Sequence, residues 1–356
     1  MAVTLKDIAE RTGVSPSVVS TVLSGRDNGT FVSETTRRKV LQVAEALNYT
    51  PVRSGRPRGS KRLRRQREEQ FIGIWDPDYS SSSASQIQHL QTALRTVVKE
   101  RGAEAEDDFG LRLLNVEDLP RLDSIGIMGI VLLSSTLLPR EAAVATIPCV
   151  MIGEVDNPPR EVSLVHMDNS AAGRDVGDYL WSLGHRTIAY LAPGDHPRVT
   201  RQRYQGLKGV WIKHHADPTH VMPVQYDTTP APSQRDQIRR AVQSVLRPDI
   251  LPARPTVLVC DNEHIAAVTA QALAEISIRV PQDVSLIAFH DTPRVADSMI
   301  PPLTTIRQPG QALAEASVRQ LYAMHDEEEE GGDAAPRDLM FAGELIVRES
   351  CASPRA

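Results

Sequence analysis

At 356 residues, 41% hydrophobic and 24% charged, the chain has ordinary globular make-up and the length of two or three compact units. No run of about 18 apolar residues occurs and the first ten residues hold no apolar stretch, so neither a membrane span nor a secretory signal is expected, and three widely spaced cysteines, Cys149, Cys260 and Cys351, suit a reducing cytoplasm rather than a metal site. The net charge of −5 is unevenly divided: residues 1–67 carry 14 Lys and Arg against 5 Asp and Glu, and the remainder 26 against 40, a basic head on an acidic body that is expected where one end meets phosphates.

Thr4-Leu5-Lys6-Asp7 reads as a capping box opening a first helix, with Leu5, Ile8 and Ala9 on one face and Gly13 ending it. Ser15-Pro16 restarts a helix at once, Ser15 as N-cap and Pro16 at the first helical position. That helix runs to Leu23, turns Val18, Val19 and Val22 inward, leaves Ser17, Ser20 and Thr21 free, and ends at Gly25. Ser33 caps a third helix with Val40, Val43, Ala44 and Leu47 on one side. Two short helices joined by a tight turn form the helix-turn-helix pattern, whose second helix enters the major groove by its N-terminal residues.

Between Tyr49 and Phe71 stand Arg53, Arg56, Arg58, Lys61, Arg62, Arg64, Arg65 and Arg67. Eight like charges repel, so this stretch is expected to be a largely disordered linker in the free protein.

From Phe71 onward apolar runs alternate with helical periodicity. Strands are predicted at Phe71–Trp75, Ile127–Leu133, Cys149–Ile152, Thr187–Leu191, Thr256–Cys260 and Val284–Phe289. Helices are predicted at Ala84–Arg101, Ser170–Leu183, Thr200–His214, Ser233–Leu246, Glu263–Ile276 and Gln311–Met324. This alternation implies parallel sheet with helices on both faces, and ligands bind such sheets beyond the carboxyl ends of the strands. Residues 102–125 are weakly patterned, Asp326 to Glu330 with Gly331-Gly332-Asp333 reads as an acidic loop, and His214, His215 and His220 fall near a helix end without metal-ligand spacing.

The run Thr4-Leu5-Lys6-Asp7-Ile8-Ala9, with Gly13-Val14-Ser15, Val19-Ser20, Val22-Leu23, Val32-Ser33, Thr36-Arg37 and Asn48-Tyr49-Thr50-Pro51, resembles the reading head of the LacI/GalR family. Landmarks continue through Asp168-Asn169, Leu183-Gly184-His185-Arg186, Arg203-Tyr204-Gln205-Gly206, Pro301-Pro302-Leu303-Thr304-Thr305 and Glu344-Leu345. The resemblance implies a small all-α helix-turn-helix head (1–51), a basic hinge with a hinge helix (52–70), and a tail (351–356) after a two-lobed α/β effector and dimerisation domain (71–350). That domain is similar to periplasmic binding proteins, with parallel sheets and three crossovers. It implies a cytoplasmic bacterial transcriptional repressor that binds a pseudo-palindromic operator as a homodimer, with a tetramer as the larger alternative, and senses a small effector without cofactor, metal or catalysis. A solute-binding protein without regulatory DNA binding is the alternative. An enzyme is not expected, because no phosphate loop, nucleophile elbow, dinucleotide fingerprint or zinc-binding helix is present.

By the same resemblance Pro16, Ser17 and Thr21 contact bases, and Thr4, Ser24, Ser33 and Tyr49 lie at phosphates, with Ser15 and Ser20 beside them. Thr21 stands where relatives often carry Arg, so its base contact is shorter. Leu63, within Lys61-Arg62-Leu63-Arg64, matches the residue that wedges into the minor groove. Gly55-Arg56-Pro57-Arg58-Gly59 resembles an AT-hook core, and Arg56 and Arg58 are expected to lie along a narrow A·T minor groove. The effector positions implied are Ser80 and Ser81 in the run to Ser83, Arg203, Asp261, His290 and Gln308. A forked guanidinium at Arg203 suits a diol or a carboxylate. Asp261-Asn262 reverses the usual Asn-Asp order, and His290-Asp291 stands where many sugar sensors have Asp-Asp, so the expected effector is a sugar, a sugar-like molecule or an anion.

Overall fold

The computed structural model describes residues 5–16, 18–19, 22, 33–46, 70–77, 81–102, 109–133, 147–194, 198–226, 234–246, 254–292, 295–329 and 336–355. They fall in two compact units, Met1–Gln66 and Arg67–Ala356.

In the first unit α1 spans Leu5–Thr12 and α2 spans Glu34–Ala46. Gly13 takes φ +71 and its N–H returns to the Ala9 carbonyl at 2.9 Å, the left-handed helix stop predicted for it. Of the predicted second helix, the described residues Pro16, Val18, Val19 and Val22 are helical, with Val19 N–H donating to the Ser15 carbonyl at 3.1 Å. The shared core is Ile8, Ala9, Val19, Val22, Val40 and Ala44, with Val14 and Val43 packed on it. Val18, predicted to point inward, is half-buried. The expected role of Leu47 lies outside the described residues.

The second unit holds two six-stranded sheets. The first comprises β1 (Gln70–Trp75), β2 (Phe109–Leu114), β3 (Ile127–Leu132), β4 (Cys149–Ile152), β5 (Val162–Met167) and, from the far end of the chain, β11 (Asp338–Phe341), in the order β11-β5-β4-β3-β1-β2. The second comprises β6 (Ile188–Pro193), β7 (Val221–Tyr226), β8 (Val257–Cys260), β9 (Ser285–Phe289), β10 (Thr304–Arg307) and β12 (Glu344–Ile346), in the order β12-β10-β9-β8-β6-β7. All pairings are parallel except β10 with β12. Each sheet is therefore the centre of one lobe. The chain crosses between the lobes after β5, after β10 and between β11 and β12, the three crossovers expected.

The central strands are buried along their whole length, as parallel strands covered on both faces must be. Lobe one is covered by α3 (Ser81–Glu100) and by the long helix that follows β10, Gly310–Glu329. Its other face meets a short 3-10 turn, Leu119–Ser124, through Trp75, Leu122, Ile130 and Met151. Lobe two carries α4 (Asn169–Ser182) and α5 (Arg198–Lys213) on one face. Its other face carries α6 (Gln234–Val245), α7 (Glu263–Glu275) and the single turn α8 (Val295–Ser298), which makes the Gly310–Glu329 helix α9.

Two expectations are corrected. The acidic stretch is not a loop as far as Glu329, because α9 continues through it and Asp326 receives both bonds of the Arg101 guanidinium at the end of α3, at 2.9 and 3.0 Å. The weakly patterned residues 102–125 contain β2 and the 3-10 turn. An edge strand and a single tight turn each need only a few apolar residues, so neither leaves a long periodic signal.

Helices α4 and α5 touch backbone to backbone. A Cβ built on Gly173 would stand 2.2 Å from the Arg203 carbonyl oxygen, and one on Gly206 would stand 2.2 Å from that of Ser170. These reciprocal glycines bring the start of α4, at the first crossover, against the middle of α5.

Candidate functional site

In the first unit, Ser15 and Pro16 open the second helix. Ser15 Oγ accepts from the Val18 N–H at 3.3 Å and both residues are exposed. Ser33 is exposed at the start of α2, where its Oγ accepts from the Thr36 N–H at 3.2 Å and lies 2.8 Å from Thr36 Oγ1. Both serines are helix caps, and so sit where backbone N–H groups and the positive helix end face outward. Thr4, Ser17, Ser20, Thr21, Ser24, Tyr49, Arg56, Arg58, Arg62 and Leu63 lie outside the described residues, as does Ser80; Ser81 opens α3.

Four of the expected effector residues come together where the strands of lobe two end. Arg203, on α5, is only 2% exposed, and its guanidinium is used on three sides. Nε donates to Asn169 Oδ1 at 2.9 Å, Nη1 to the Asp261 carbonyl at 2.8 Å, and Nη2 to His290 Nε2 at 3.1 Å. The Phe289 ring lies beneath it, 4.7 Å from the guanidinium carbon. Asp261 follows β8, with its carboxylate 3.5 Å from Nη1 and accepting from Tyr190 Oη at 2.5 Å and Thr200 Oγ1 at 3.1 Å. Gln308, at the second crossover, brings its amide nitrogen to 3.1 Å from His290 Nε2.

The sequence expectation for Arg203 is therefore revised. Its fork does not stand open for a carboxylate, because Asn169, Asp261 and His290 already occupy three of its directions. It positions those groups. Burial, and next the Arg203 charge, push the His290 imidazole down to about 3, with Asp261 opposing, so the ring is neutral. His290 also takes φ +69, a backbone conformation uncommon for a residue with a side chain. Tyr190 is pushed well up by burial and by the neighbouring Asp261 charge, so it stays a hydrogen-bond donor.

The two unusual residue pairs are separated by the fold. Asn262 caps α7, accepting from the Ile265 N–H at 3.0 Å, while Asp261 faces Arg203. Asp291 turns away from His290 and is held by Thr305 Oγ1 at 2.9 Å, Arg307 Nη2 at 2.7 Å and Arg348 Nη1 at 2.9 Å.

Sequence reasoning missed Glu154 and the bridging use of Asn169. Glu154 follows β4 in lobe one, and its side chain is wholly buried. It accepts from Arg198 Nε at 3.1 Å and Gln202 Nε2 at 3.2 Å on α5, and from Asn169 Nδ2 at 2.9 Å. Asp156, two residues on, pairs with Arg201. His166, at the end of β5, sits 3.5 Å from Glu154 and 2.6 Å from Asp338. A buried carboxylate of lobe one is thus joined through Asn169 to the Arg203–His290 pair of lobe two. The Asp168-Asn169 landmark was the available signal; Glu154 had none.

His214 does not approach a metal cluster. Its ring stacks on Trp181 at 4.3 Å, and among the described residues no group of three or more His, Cys, Asp or Glu could hold an ion. No helix among them is long and apolar enough to cross a membrane.

A helix-turn-helix unit followed by a two-lobed domain with a polar, buried inter-lobe site defines a DNA-binding regulator with a ligand-binding effector domain. Residues 4–52 match the family described as bacterial regulatory proteins, lacI family, and residues 177–351 match the periplasmic binding protein-like domain. The chain thus carries a helix-turn-helix domain of the lacI type followed by a periplasmic binding protein-like domain. It is 25% identical to the probable HTH-type transcriptional repressor ExuR of Bacillus subtilis over 358 residues, covering 98% of each chain. It is 27% identical to the transcriptional repressor CytR of Escherichia coli over 369 residues, covering 98% of this chain and 96% of that one. The fold is shared with the transcriptional regulator CelR in complex with cellobiose, at TM-score 0.63 and 24% identity over 98% of this chain and 99% of that one. It is also shared with the lac repressor dimer bound to operator and an anti-inducer, at TM-score 0.58 and 22% identity over 99% of this chain and 100% of that one.

Proposed function

We propose that this regulator is a cytoplasmic repressor that binds a pseudo-palindromic operator as a homodimer, and that a small molecule held between its lobes sets its affinity for DNA. The observation that carries the effector half is the relay Glu154–Asn169–Arg203–His290. Buried polar groups gathered at the carboxyl ends of parallel strands, between two lobes, are the surroundings in which this architecture holds a ligand. The effector residues are Asp261, His290 and Gln308, positioned by Arg203 with Glu154 and Asn169 as supports, and by the family resemblance Ser80 and Ser81 are the lobe-one contacts.

For the DNA half, Ser15 and Pro16 lead the helix that enters the major groove, with Ser17, Ser20 and Thr21 behind them. Thr4, Ser24, Ser33 and Tyr49 meet phosphates. Arg62 and Leu63 act at the minor groove beside Arg56 and Arg58. No catalytic step is assigned. Effector and operator are coupled only if the effector prefers one lobe arrangement, and so one spacing of the paired heads.

Selection from a random duplex pool at near-physiological salt tests the DNA half: a recovered pseudo-palindrome supports it, and purely salt-sensitive, sequence-blind binding rejects it. Titrating sugars against the operator complex tests the second half. A sugar that binds the protein and leaves operator affinity unchanged would leave only the solute-binding alternative for the lobes.

A further inference from the structure

Arginine can only donate hydrogen bonds. Nη2 of Arg203 lies 3.1 Å from Nε2 of His290, so Nε2 must be the acceptor and cannot carry a proton. The Gln308 amide nitrogen approaches the same atom at 3.1 Å and offers a second donor to it. Turning that amide round would place its oxygen there instead, which would need a proton on Nε2 that Arg203 excludes. An imidazolium is excluded for the same reason, and also by the buried guanidinium charge. The ring proton therefore sits on Nδ1, and no described residue accepts from that atom. Arg203 is held in turn by Asn169 and Asp261, so the lock does not depend on a freely rotating side chain.

We propose that His290 is a specificity-determining hydrogen-bond donor of the effector cleft, its Nδ1–H fixed by Arg203 at Nε2, and that it selects ligands presenting an uncharged acceptor oxygen there. This rests on the reading of the cleft as the effector site. A carboxylate at the same position would do the reverse and accept from a ligand hydroxyl. The charge around the relay decides against an acidic ligand. Glu154 and Asp261 are both buried just beyond strand ends, one in each lobe. The guanidinium of Arg203 is already balanced by Asp261 at 3.5 Å, and that of Arg198 by Glu154 at 3.1 Å. A ligand carboxylate would enter beside these two acids and find Arg203 and Arg198 already paired with them.

Two measurements test this. In the free protein, 15N chemical shifts of labelled histidine, assigned by comparison with His290→Asn, should report a neutral ring protonated at Nδ1. A ring protonated at Nε2, or a charged ring, overturns the proposal whatever binds. The second measurement is calorimetric binding of paired probes: glucose with glucuronate, galactose with galacturonate, and cellobiose with cellobionate. Neutral members should bind and their acids should not. For the neutral sugar that binds, His290→Asn should lose about threefold, because it gives up the Nε2 acceptor held by Arg203 but tolerates positive φ and keeps an N–H donor. His290→Asp tolerates the same backbone but offers only acceptors, and should lose about tenfold or more. Equal affinity of the Asn and Asp variants, or preference for the acids, overturns the donor role while leaving the effector reading intact. Binding of no sugar of either charge overturns the ligand selection together with that reading.

Discussion

The Nη2 atom of Arg203 stands 3.1 Å from Nε2 of His290, and the two residues come from different elements, the middle of α5 and the end of β9. The pair is held from the first crossover by Asn169, whose own amide is held by Glu154 of lobe one. Anything that shifts α5 relative to the crossover therefore shifts the ring that faces the cleft.

Removing the guanidinium should cost more than one hydrogen bond. In Arg203→Met, Asp261 stays buried with Tyr190 and Thr200 but without its cation, and Asn169 and His290 each lose a partner. A loss of roughly 3–5 kcal/mol in urea unfolding is expected, the range for breaking a buried ion pair on one side. Arg203→Lys should recover little, because one ammonium cannot reach Asn169, Asp261 and His290 from a planar fork. Recovery of most of the stability by Lys would mean that charge alone matters at this site.

Much of this was legible in the sequence, and the limits are physical. Strand–helix alternation gave both lobes because central parallel strands such as Ile127–Leu132 and Val257–Cys260 are continuous apolar runs. The edge strands Asp338–Phe341 and Glu344–Ile346 alternate or stay exposed, and they pair with strands more than a hundred and about forty residues away, so no local signal marks them. Arg203, Asp261, His290 and Gln308 were found because they lie on landmark positions. Glu154 was not, because a single Glu after Gly153 resembles any loop acid until the fold buries it against α5. What the sequence misjudged was the availability of Arg203, since a residue type states what a group can bond to and not what its neighbours have already taken.

The glycine contact between α4 and α5 should be intolerant of a single methyl. Gly173→Ala and Gly206→Ala each place a Cβ against a carbonyl oxygen, so the helices must part. Overpacking of this kind costs about 1–3 kcal/mol. The expected result is a lower melting temperature for each variant. Neutral-sugar affinity should fall as well, because Arg203 moves with α5, and a melting point unchanged in both would show that the helices can part freely.

Acid should weaken the second unit in a defined window. Burial lowers His185 to about 4, with Arg186 adding to it and a bond to Ala352 opposing, and His290 is lowered to about 3. The unfolded chain then binds more protons than the folded one below the ordinary histidine value of about 6.5, so stability is fully present above that pH and falls as pH drops through the window toward the folded values. Each histidine contributes a slope of up to about 1.4 kcal/mol per pH unit there. Urea unfolding at pH 7 and pH 5 should show the loss, and His185→Asn should reduce it. An undiminished loss in that variant would place the proton uptake elsewhere.

Ser33 offers a way to separate a cap from a phosphate contact. Its Oγ accepts from the Thr36 N–H, so Ser33→Ala should destabilise the first unit by about 1 kcal/mol. Ser33→Asp keeps an acceptor for that N–H and a negative charge at a helix start, and should fold as well as the parent. If the exposed hydroxyl also meets a phosphate, the same Asp should weaken operator binding severalfold, and more at low salt than at high salt, since the repulsion is screened. Full operator affinity in Ser33→Asp at low salt would restrict Ser33 to capping.

Arg56 and Arg58 lie outside the described residues, and their proposed role rests on the Gly55-Arg56-Pro57-Arg58-Gly59 run. Two arginines that only neutralise phosphates reduce affinity for any duplex and flatten its salt dependence. Two arginines in a narrow A·T minor groove gain from its enhanced negative potential and so respond to the bases beside the operator. The Arg56→Ala, Arg58→Ala double variant should therefore lose more affinity for operators flanked by A·T tracts than for the same operators flanked by G·C. Competition binding at fixed salt measures the difference. An equal loss on both flanks would reject the groove contact and leave the segment as a basic linker.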